Sequence, residues 1–288
     1  MLPLSFDLAQ DISKFRGLME KKFNHNEPKE KIMEFIDKYL YVDSNAASAI
    51  YEYLKQQYLF KELPNDKKIL IEEYKEDSKN FIVFHSLYGR RVNDVLSRAV
   101  AYIIGRLYHM DVEIGINDNG FYVASERSII TSQVFDHLKV KDIDAIMKNA
   151  IDKTEVLKRR FRHCAVRSLM ILRNYAGRTK RVGRQQVSSM LLLNAVRRIS
   201  NEFSILQESR REVLEDLMDI TNAKNVIKDI EDKRIEVKIF QTRIPSPFAF
   251  NLVLEGYVDI MKMEDKVEFL RRMHHLVLAK IGKTKKLD

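Results

Sequence analysis

An α+β fold, with an antiparallel sheet packed against a predominantly helical bundle, is what this sequence predicts, and three observations carry that expectation. Apolar residues recur at helical spacing through the first third of the chain and again from about Ser132 to Lys233. Between those regions lie short β-branched and aromatic runs separated by turn residues, the pattern of antiparallel strands. One more run of that kind, Ile235 to Thr242, returns late in the chain, so helices and strands are segregated rather than alternating.

Each element has its own signal. Phe6, Leu8, Ile12, Phe15 and Met19 make the first helical stripe, with Ser5 or Asp7 as N-cap. A second helix starts near Pro28 and carries Ile32, Phe35, Ile36 and Leu40. Ser44 caps a third, running through Ile50, Tyr53 and Leu54 toward Phe60, and Leu63-Pro64-Asn65-Asp66 breaks the pattern. Strands from Lys68 to Tyr74 and from Asn80 to His85 meet at Glu76-Asp77-Ser78. A long amphipathic helix from Arg90 to His109 follows, with Val92, Leu96, Val100, Ile103 and Leu107 as its core stripe. Asp111 to Asn117 and Phe121 to Ser125 flank the hairpin signal Asp118-Asn119-Gly120. The later helical text is interrupted at Gly177–Gly183 and around Thr221, and helix returns after Pro245-Ser246-Pro247, from about Asp265 to Lys280.

The expected organisation is an N-terminal helical segment over 1–62, a small antiparallel sheet with a long helix over 63–130, and a helical bundle with one returning strand over 131–288, together one compact unit. A content of 45% apolar and 32% charged residues describes a soluble globular chain with a well-buried core. The lone Cys164 excludes an internal disulfide, fits a reducing intracellular compartment and reads as a buried, inert thiol. No apolar run is long enough to span a membrane, and the first residues lack the blocks of a signal peptide. The expected location is the cytoplasm. The sequence enters a helix almost at once, as a piece cut from a longer protein does.

Charge is distributed very unevenly. Between Val156 and Asn201 there is no Asp or Glu, yet there are twelve basic residues. Subtracting these twelve from the net charge of +9 leaves −3 for everything else, so the whole positive excess sits in one stretch of 46 residues. A polyanion is the natural partner of such a surface, because each cation that neutralises a phosphate also releases condensed counterions. A basic face that is merely solvated is the alternative.

Catalytic motifs are missing from the text. Gly282-Lys283-Thr284 resembles the end of a phosphate-binding loop, but Val277 stands where the motif needs glycine and the preceding text is helical. The seven histidines form no metal-ligand spacing, no nucleophile elbow occurs, and the carboxylates around Glu212, Glu215, Asp216 and Asp219 have the spacing of a solvated helix face. No cofactor or metal is expected.

Within the basic stretch, a helical wheel places Arg160, His163, Arg167 and Asn174 on one narrow polar stripe. Phe161, Cys164, Ala165, Leu169, Ile171 and Leu172 cover most of the rest, and Arg162 and Arg173 lie opposite. Such arginines need partners, either carboxylates of other helices or phosphates. The segment Ala176 to Gly183 delivers Arg178, Lys180, Arg181 and Arg184 to the start of the next helix. Cations there oppose the macrodipole and make sense around an external anion. Gln185 and Gln186 add groups that bond phosphates or base edges. Arg197 and Arg198, at the other end of that helix, need no ligand. The same wrong-signed arrangement recurs at Gly89-Arg90-Arg91, and Tyr88 and Tyr175 are placed to stack on unpaired bases.

At this point a resemblance emerges. The segments Phe161-Arg162-His163-Cys164-Ala165-Val166-Arg167-Ser168-Leu169-Met170-Ile171-Leu172 and Val182-Gly183-Arg184-Gln185-Gln186 resemble the C-terminal part of the large helicase-related (Lhr) core. So do Ser204-Ile205-Leu206, Glu212-Val213-Leu214-Glu215-Asp216 and Pro245-Ser246-Pro247-Phe248-Ala249. Leu4-Ser5-Phe6-Asp7-Leu8-Ala9 and His85-Ser86-Leu87-Tyr88-Gly89-Arg90-Arg91-Val92 are similar to the archaeal branch. Members of that family are superfamily 2 ATP-dependent helicases with two motor domains, a winged helix and a large fourth domain that helps enclose the tracking strand. The resemblance implies that this chain is the fourth domain, with 1–62 holding the end of the winged-helix region. It implies single-stranded DNA or an RNA:DNA hybrid as ligand, and the motor and winged-helix domains of the same parent chain as partners. ATP and Mg belong to the motor domains alone, since no phosphate-binding loop, Asp-Glu-x-His box or motor arginine motif is present here.

Three readings follow. In the first, the chain is a nucleic-acid-binding accessory domain of a helicase. In the second, it is a structural or protein-docking module whose basic helices pair with its own acidic run from Glu208 to Asp219, leaving no open positive groove. A nuclease or glycosylase, the third, requires a carboxylate cluster in the groove.

Overall fold

The computed structural model describes residues 3–76, 78–175, 177–179, 181–257, 271 and 274–282, without the side chains of 175, 178 and 255–257. Three helices come first: α1 (Phe6–Asn24), α2 (Lys29–Leu40) and α3 (Ser44–Phe60). Strands β1 (Lys68–Glu76) and β2 (Lys79–His85) follow, then α4 (Arg90–Tyr108) and the hairpin β3 (Glu113–Asn117) with β4 (Gly120–Ser125). The helical layer comprises α5 (Thr131–His137), α6 (Ile143–Ile151) and α7 (Glu155–Arg167). It continues, after the short ladder β5 (Asn174–Tyr175) with β6 (Arg178–Thr179), into α8 (Val182–Ile199) and α9 (Ser204–Arg211). A π-helical turn, Glu212–Leu217, leads to α10 (Ile220–Glu231), and the chain then runs through β7 (Glu236–Gln241) into α11 (Pro247–Tyr257). Residues 274–282 are helical, whereas 265–270 and 272–273, where a helix is expected from the sequence, lie outside the described residues.

The α+β class holds, and one detail of the sheet differs. Its order is β3-β4-β2-β1-β7. The pairs β3/β4, β4/β2 and β2/β1 are antiparallel, but β7 runs parallel to β1, with Val237 opposite Ile69. The reason lies in the connection. A parallel neighbour needs a crossover instead of a hairpin, and the helices between β4 and β7 supply one. They return the chain to the end of the sheet where β1 begins, and there Glu236 N donates to Lys67 O (2.8 Å).

Both faces of the sheet are covered, and its central strands bury apolar residues on each side. Ile69, Ile71, Ile82, Phe84, Phe121 and Val123 pack on one side with α4 and the helical layer. Tyr74, Phe81, Val83, Tyr122 and Ala124 pack on the other side against Ala249, Leu252 and Val253 of α11. The N-terminal helices enclose a cluster of their own around Phe15, Met19, Phe23, Ile32, Ile36 and Leu54, to which Phe248 belongs. Ser5 caps α1, its Oγ accepting from Leu8 N (3.3 Å). Asp43, not the expected Ser44, caps α3 by accepting from Ala46 N (2.7 Å).

Helix α11 is an element that the sequence reading did not anticipate, separate from the helix expected from about Asp265 to Lys280. Pro247 opens it, because proline's missing N–H costs nothing in the first turn. Buried side chains satisfy the neighbouring amides: Ser246 N donates to Glu72 Oε1 (2.7 Å) and Phe248 N to Gln57 Oε1 (3.1 Å). His85 Nε2 donates to the other oxygen of Glu72 (2.9 Å) and lies 3.5 Å from Ser246 Oγ. This Glu-His-Ser group is no catalytic triad. Carboxylate and hydroxyl share one ring nitrogen, and all three side chains are buried.

Candidate nucleic-acid interface

Helix α7 is set by its ends and its buried face. Thr154 caps it, Oγ1 accepting from Leu157 N (3.3 Å), and Leu157, Phe161, Cys164 and Ala165 face the core. It stops at Arg167, earlier than the sequence suggests. Ser168 N donates to Cys164 O (2.9 Å) and Ile171 N to Ala165 O (3.0 Å), while Leu169 takes the left-handed conformation (φ 59°). Arg173 therefore does not stack beside Arg162 on a continuing helix. It follows the turn and is exposed.

The stretch expected to be a loop is a small β-ladder, with Asn174 opposite Thr179 and Tyr175 opposite Arg178, turned through Gly177 at φ 72°. Lys180 and the side chains of Tyr175 and Arg178 lie outside the described residues. Helix α8 then starts with Arg181 in the N-cap position, and the Arg181 side chain makes no capping bond. Arg181 and Arg184 are exposed, and Gln185 is half-buried. The helix buries only Ser189, Leu193 and Val196, leaving Val187, Met190 and Leu191 at the surface.

The middle of the basic stretch has internal partners. Glu212, 3% exposed, receives Arg167 Nη2 on Oε1 and has Arg160 Nη1 3.6 Å from Oε2. Arg167 also donates to Cys164 Sγ (3.3 Å). Arg197 Nη2 bonds the Asp152 carbonyl, as a cation near a helix C-terminus can. Buried Arg210 grips the Asp152 carboxylate with Nε (2.9 Å) and Nη2 (2.8 Å), a fork the sequence did not single out because the two lie far apart in the chain.

The second expected anion site, at the start of α4, is already occupied. The hairpin between β3 and β4 brings Asp118 to it, and its Oδ1 accepts from Arg90 N (2.9 Å) and Leu4 N (3.0 Å). Gly89 is required at this junction: at φ 80°, an added Cβ would sit 2.4 Å from the Leu4 carbonyl oxygen. The Arg90 side chain remains exposed. Arg91 is committed to the backbone, donating from Nη2 to Glu215 O (2.6 Å) and Met218 O (2.9 Å) at the end of the π-helical turn. Tyr88 does not stack on a ligand. It is buried (2% exposed) beside Phe6, and burial pushes its phenol far above the ordinary range.

What remains open is a basic cleft of about 420 Å³ between α7 and α8. Lys158, Arg159 and Arg162 line it from α7, and Gln186, Ser189 and Met190 from α8. Glu155 lines it too, neutralised by Lys158 at 2.6 Å. Among the described residues, no acceptor meets the side chains of Arg159, Arg162, Arg181 or Arg184. Spacing offered a signal for the cleft that the wheel obscured: positions 155, 158, 159 and 162 form one helical face, but reading the helix as far as Asn174 drew attention to its other side. His163 registers the field. Burial, then the nearby Arg162, Arg160, Arg173 and Arg167, hold its imidazole below the ordinary value.

Comparison with known proteins agrees with this architecture. Residues 63–249 match the family model described as DEAD/H associated. The ATP-dependent helicase Lhr-Core of Methanothermobacter thermautotrophicus is 52% identical over 97% of this chain and 33% of its own length. That of Sulfolobus acidocaldarius is 42% identical over 96% of this chain and 32% of its own. The chain thus spans about a third of the curated relatives it matches. A solved structure of Mycobacterium smegmatis helicase Lhr, bound to ssDNA and AMP-PNP, superposes with a TM-score of 0.75 over 87% of this chain and 32% of its own, at 22% identity. On the match over residues 63–249, the chain belongs to the DEAD/H associated family, and it is similar to one domain-sized part of the larger archaeal Lhr-Core helicases.

Proposed function

We propose that this chain is a nucleic-acid-binding accessory domain of an Lhr-type ATP-dependent helicase. It grips the tracking single strand through phosphate contacts while motor domains elsewhere in the parent protein hydrolyse ATP with Mg. The observation that carries this reading is the set Arg159, Arg162, Arg181 and Arg184, which meet no acceptor among the described residues, beside a helix start that its N-cap side chain does not cap. Cations and bare N–H groups together form a phosphate site. The Mycobacterium smegmatis relative bound to ssDNA supports the choice of ligand, and the helicases that extend beyond this region support motor and winged-helix domains as covalent neighbours. An RNA:DNA hybrid offers the same backbone chemistry.

The alternative of a structural module has a real foothold in the pairing of Arg160 and Arg167 with Glu212 and of Arg210 with Asp152. It accounts for the interior of the basic stretch and not for the cleft or the α8 start. A nuclease or glycosylase needs clustered carboxylates, and Glu155 is the one carboxylate among the residues lining the cleft.

The test is fluorescence anisotropy with a labelled single strand across a salt series. Reversing Arg178, Lys180, Arg181 and Arg184 to Glu lowers affinity at least about a hundredfold and flattens the salt slope by roughly three, as loss of that many phosphate contacts requires. Unchanged affinity overturns the reading.

A further inference from the structure

The cleft between α7 and α8 has a composition that a simple phosphate track does not need. Its α7 wall is cationic, with Arg159 and Arg162 lacking any acceptor among the described residues. Its α8 wall is of another kind. Met190 presents an apolar side chain that is 52% exposed, and Gln186 offers an amide at the surface. Ser189 lines the cleft from the same helix and adds a hydroxyl that can donate or accept. The volume of about 420 Å³ lies within the range of small-molecule sites, well beyond what a lone anion fills.

We propose that this cleft receives one nucleotide of the bound strand. The phosphate sits on Arg159 and Arg162. The unpaired base lies against Met190, with its edge toward Gln186 and Ser189. This rests on the strand-binding function proposed above and adds to it. A paired base cannot enter, so the cleft makes the surface selective for single strands, whereas contacts through Arg181 and Arg184 alone do not distinguish strand from duplex. A free mononucleotide carries the same chemistry, and the experiment separates the two.

Affinity is measured by anisotropy for an oligothymidine strand and for an abasic strand of equal length, which keeps every phosphate and removes every base. The wild-type chain prefers the thymidine strand by at least about fivefold, the lower end of what one stacked base contributes. Gln186→Ala with Met190→Ser, both at exposed positions, abolishes the preference and leaves the salt slope unchanged. Arg159→Glu with Arg162→Glu weakens both strands and lowers the slope by about 1.4. Circular dichroism melting confirms that each variant is folded. Equal affinity of the wild-type chain for the two strands, or a preference that survives Gln186→Ala with Met190→Ser, overturns the proposal while leaving strand binding intact. If neither strand binds, the strand-binding reading itself fails. A titration with thymidine monophosphate, followed by NMR on the Gln186 side-chain amide, then decides the cleft separately: saturable shifts reassign it to a free nucleotide, and their absence removes the site.

Discussion

His163 follows Arg162 on α7 and is surrounded by cations, so protonating it adds a charge where none is wanted. Burial and the four arginines hold its folded-state value below the ordinary 6.5. The unfolded chain therefore takes up the proton first as pH falls. Stability is unaffected above about 6.5, declines as pH drops through that value toward the lower folded one, and levels off below it. Melting temperatures between neutral and mildly acidic pH show this decline, and His163→Gln flattens it. On the strand-binding function proposed above, a bound strand reverses the local field, so binding is expected to take up a proton and tighten on acidification. At the same residue scale, Glu212 is the buried counter-charge of Arg160 and Arg167. Glu212→Gln leaves two guanidinium groups without it and costs about 2 kcal/mol in urea unfolding, below the fully buried case because Arg167 is largely exposed.

Helix α4 shows how an element can look like a ligand site and be complete already. Glycine followed by two arginines after a strand is legible as an anion-binding start, and an anion is indeed present. It is Asp118, brought by a hairpin that the sequence signals clearly, although nothing in the sequence says where that turn will dock. Asp118→Ala removes the acceptor for Arg90 N and Leu4 N and lowers thermal stability by about 1–2 kcal/mol, the usual worth of an N-cap. Helix α8 is the contrasting case, since the side chain at its N-cap, Arg181, makes no capping bond. Its basic start was legible because charge and position are both local properties. The extent of α7 was not, because Leu169 turns the chain through a left-handed conformation that its side chain does not advertise. That single turn separated Arg173 from Arg162 and hid the face that lines the cleft.

Across the whole molecule, the α+β class was legible from periodicity, whereas β7 and α11 depended on long-range partners. Nothing near residue 236 specifies a parallel neighbour, and Pro247 reads as a breaker until Glu72 and Gln57 are seen to receive the amides around it. Glu72 joins three remote parts of the chain: β1, His85 of β2 and Ser246 ahead of α11. Glu72→Ala leaves His85 and the Ser246 amide buried without their acceptor and costs about 3 kcal/mol. Hydrogen exchange then rises first across residues 246–254, ahead of the β1/β2 hairpin. A variant that loosened all regions equally contradicts the role of Glu72 as the fastening of that layer.

The parallel pairing of β1 with β7 also sets an order of assembly. The β1/β2 hairpin closes over a few residues, and β4 reaches β2 within one short excursion. Strand β7 joins β1 only after the whole intervening helical layer has been made and folded back. During synthesis, β1 therefore presents a bare edge until β7 has emerged, open to pairing with a neighbouring chain. Any truncation before residue 236 makes that exposure permanent, and self-association through β1 is the expected fate of such a fragment.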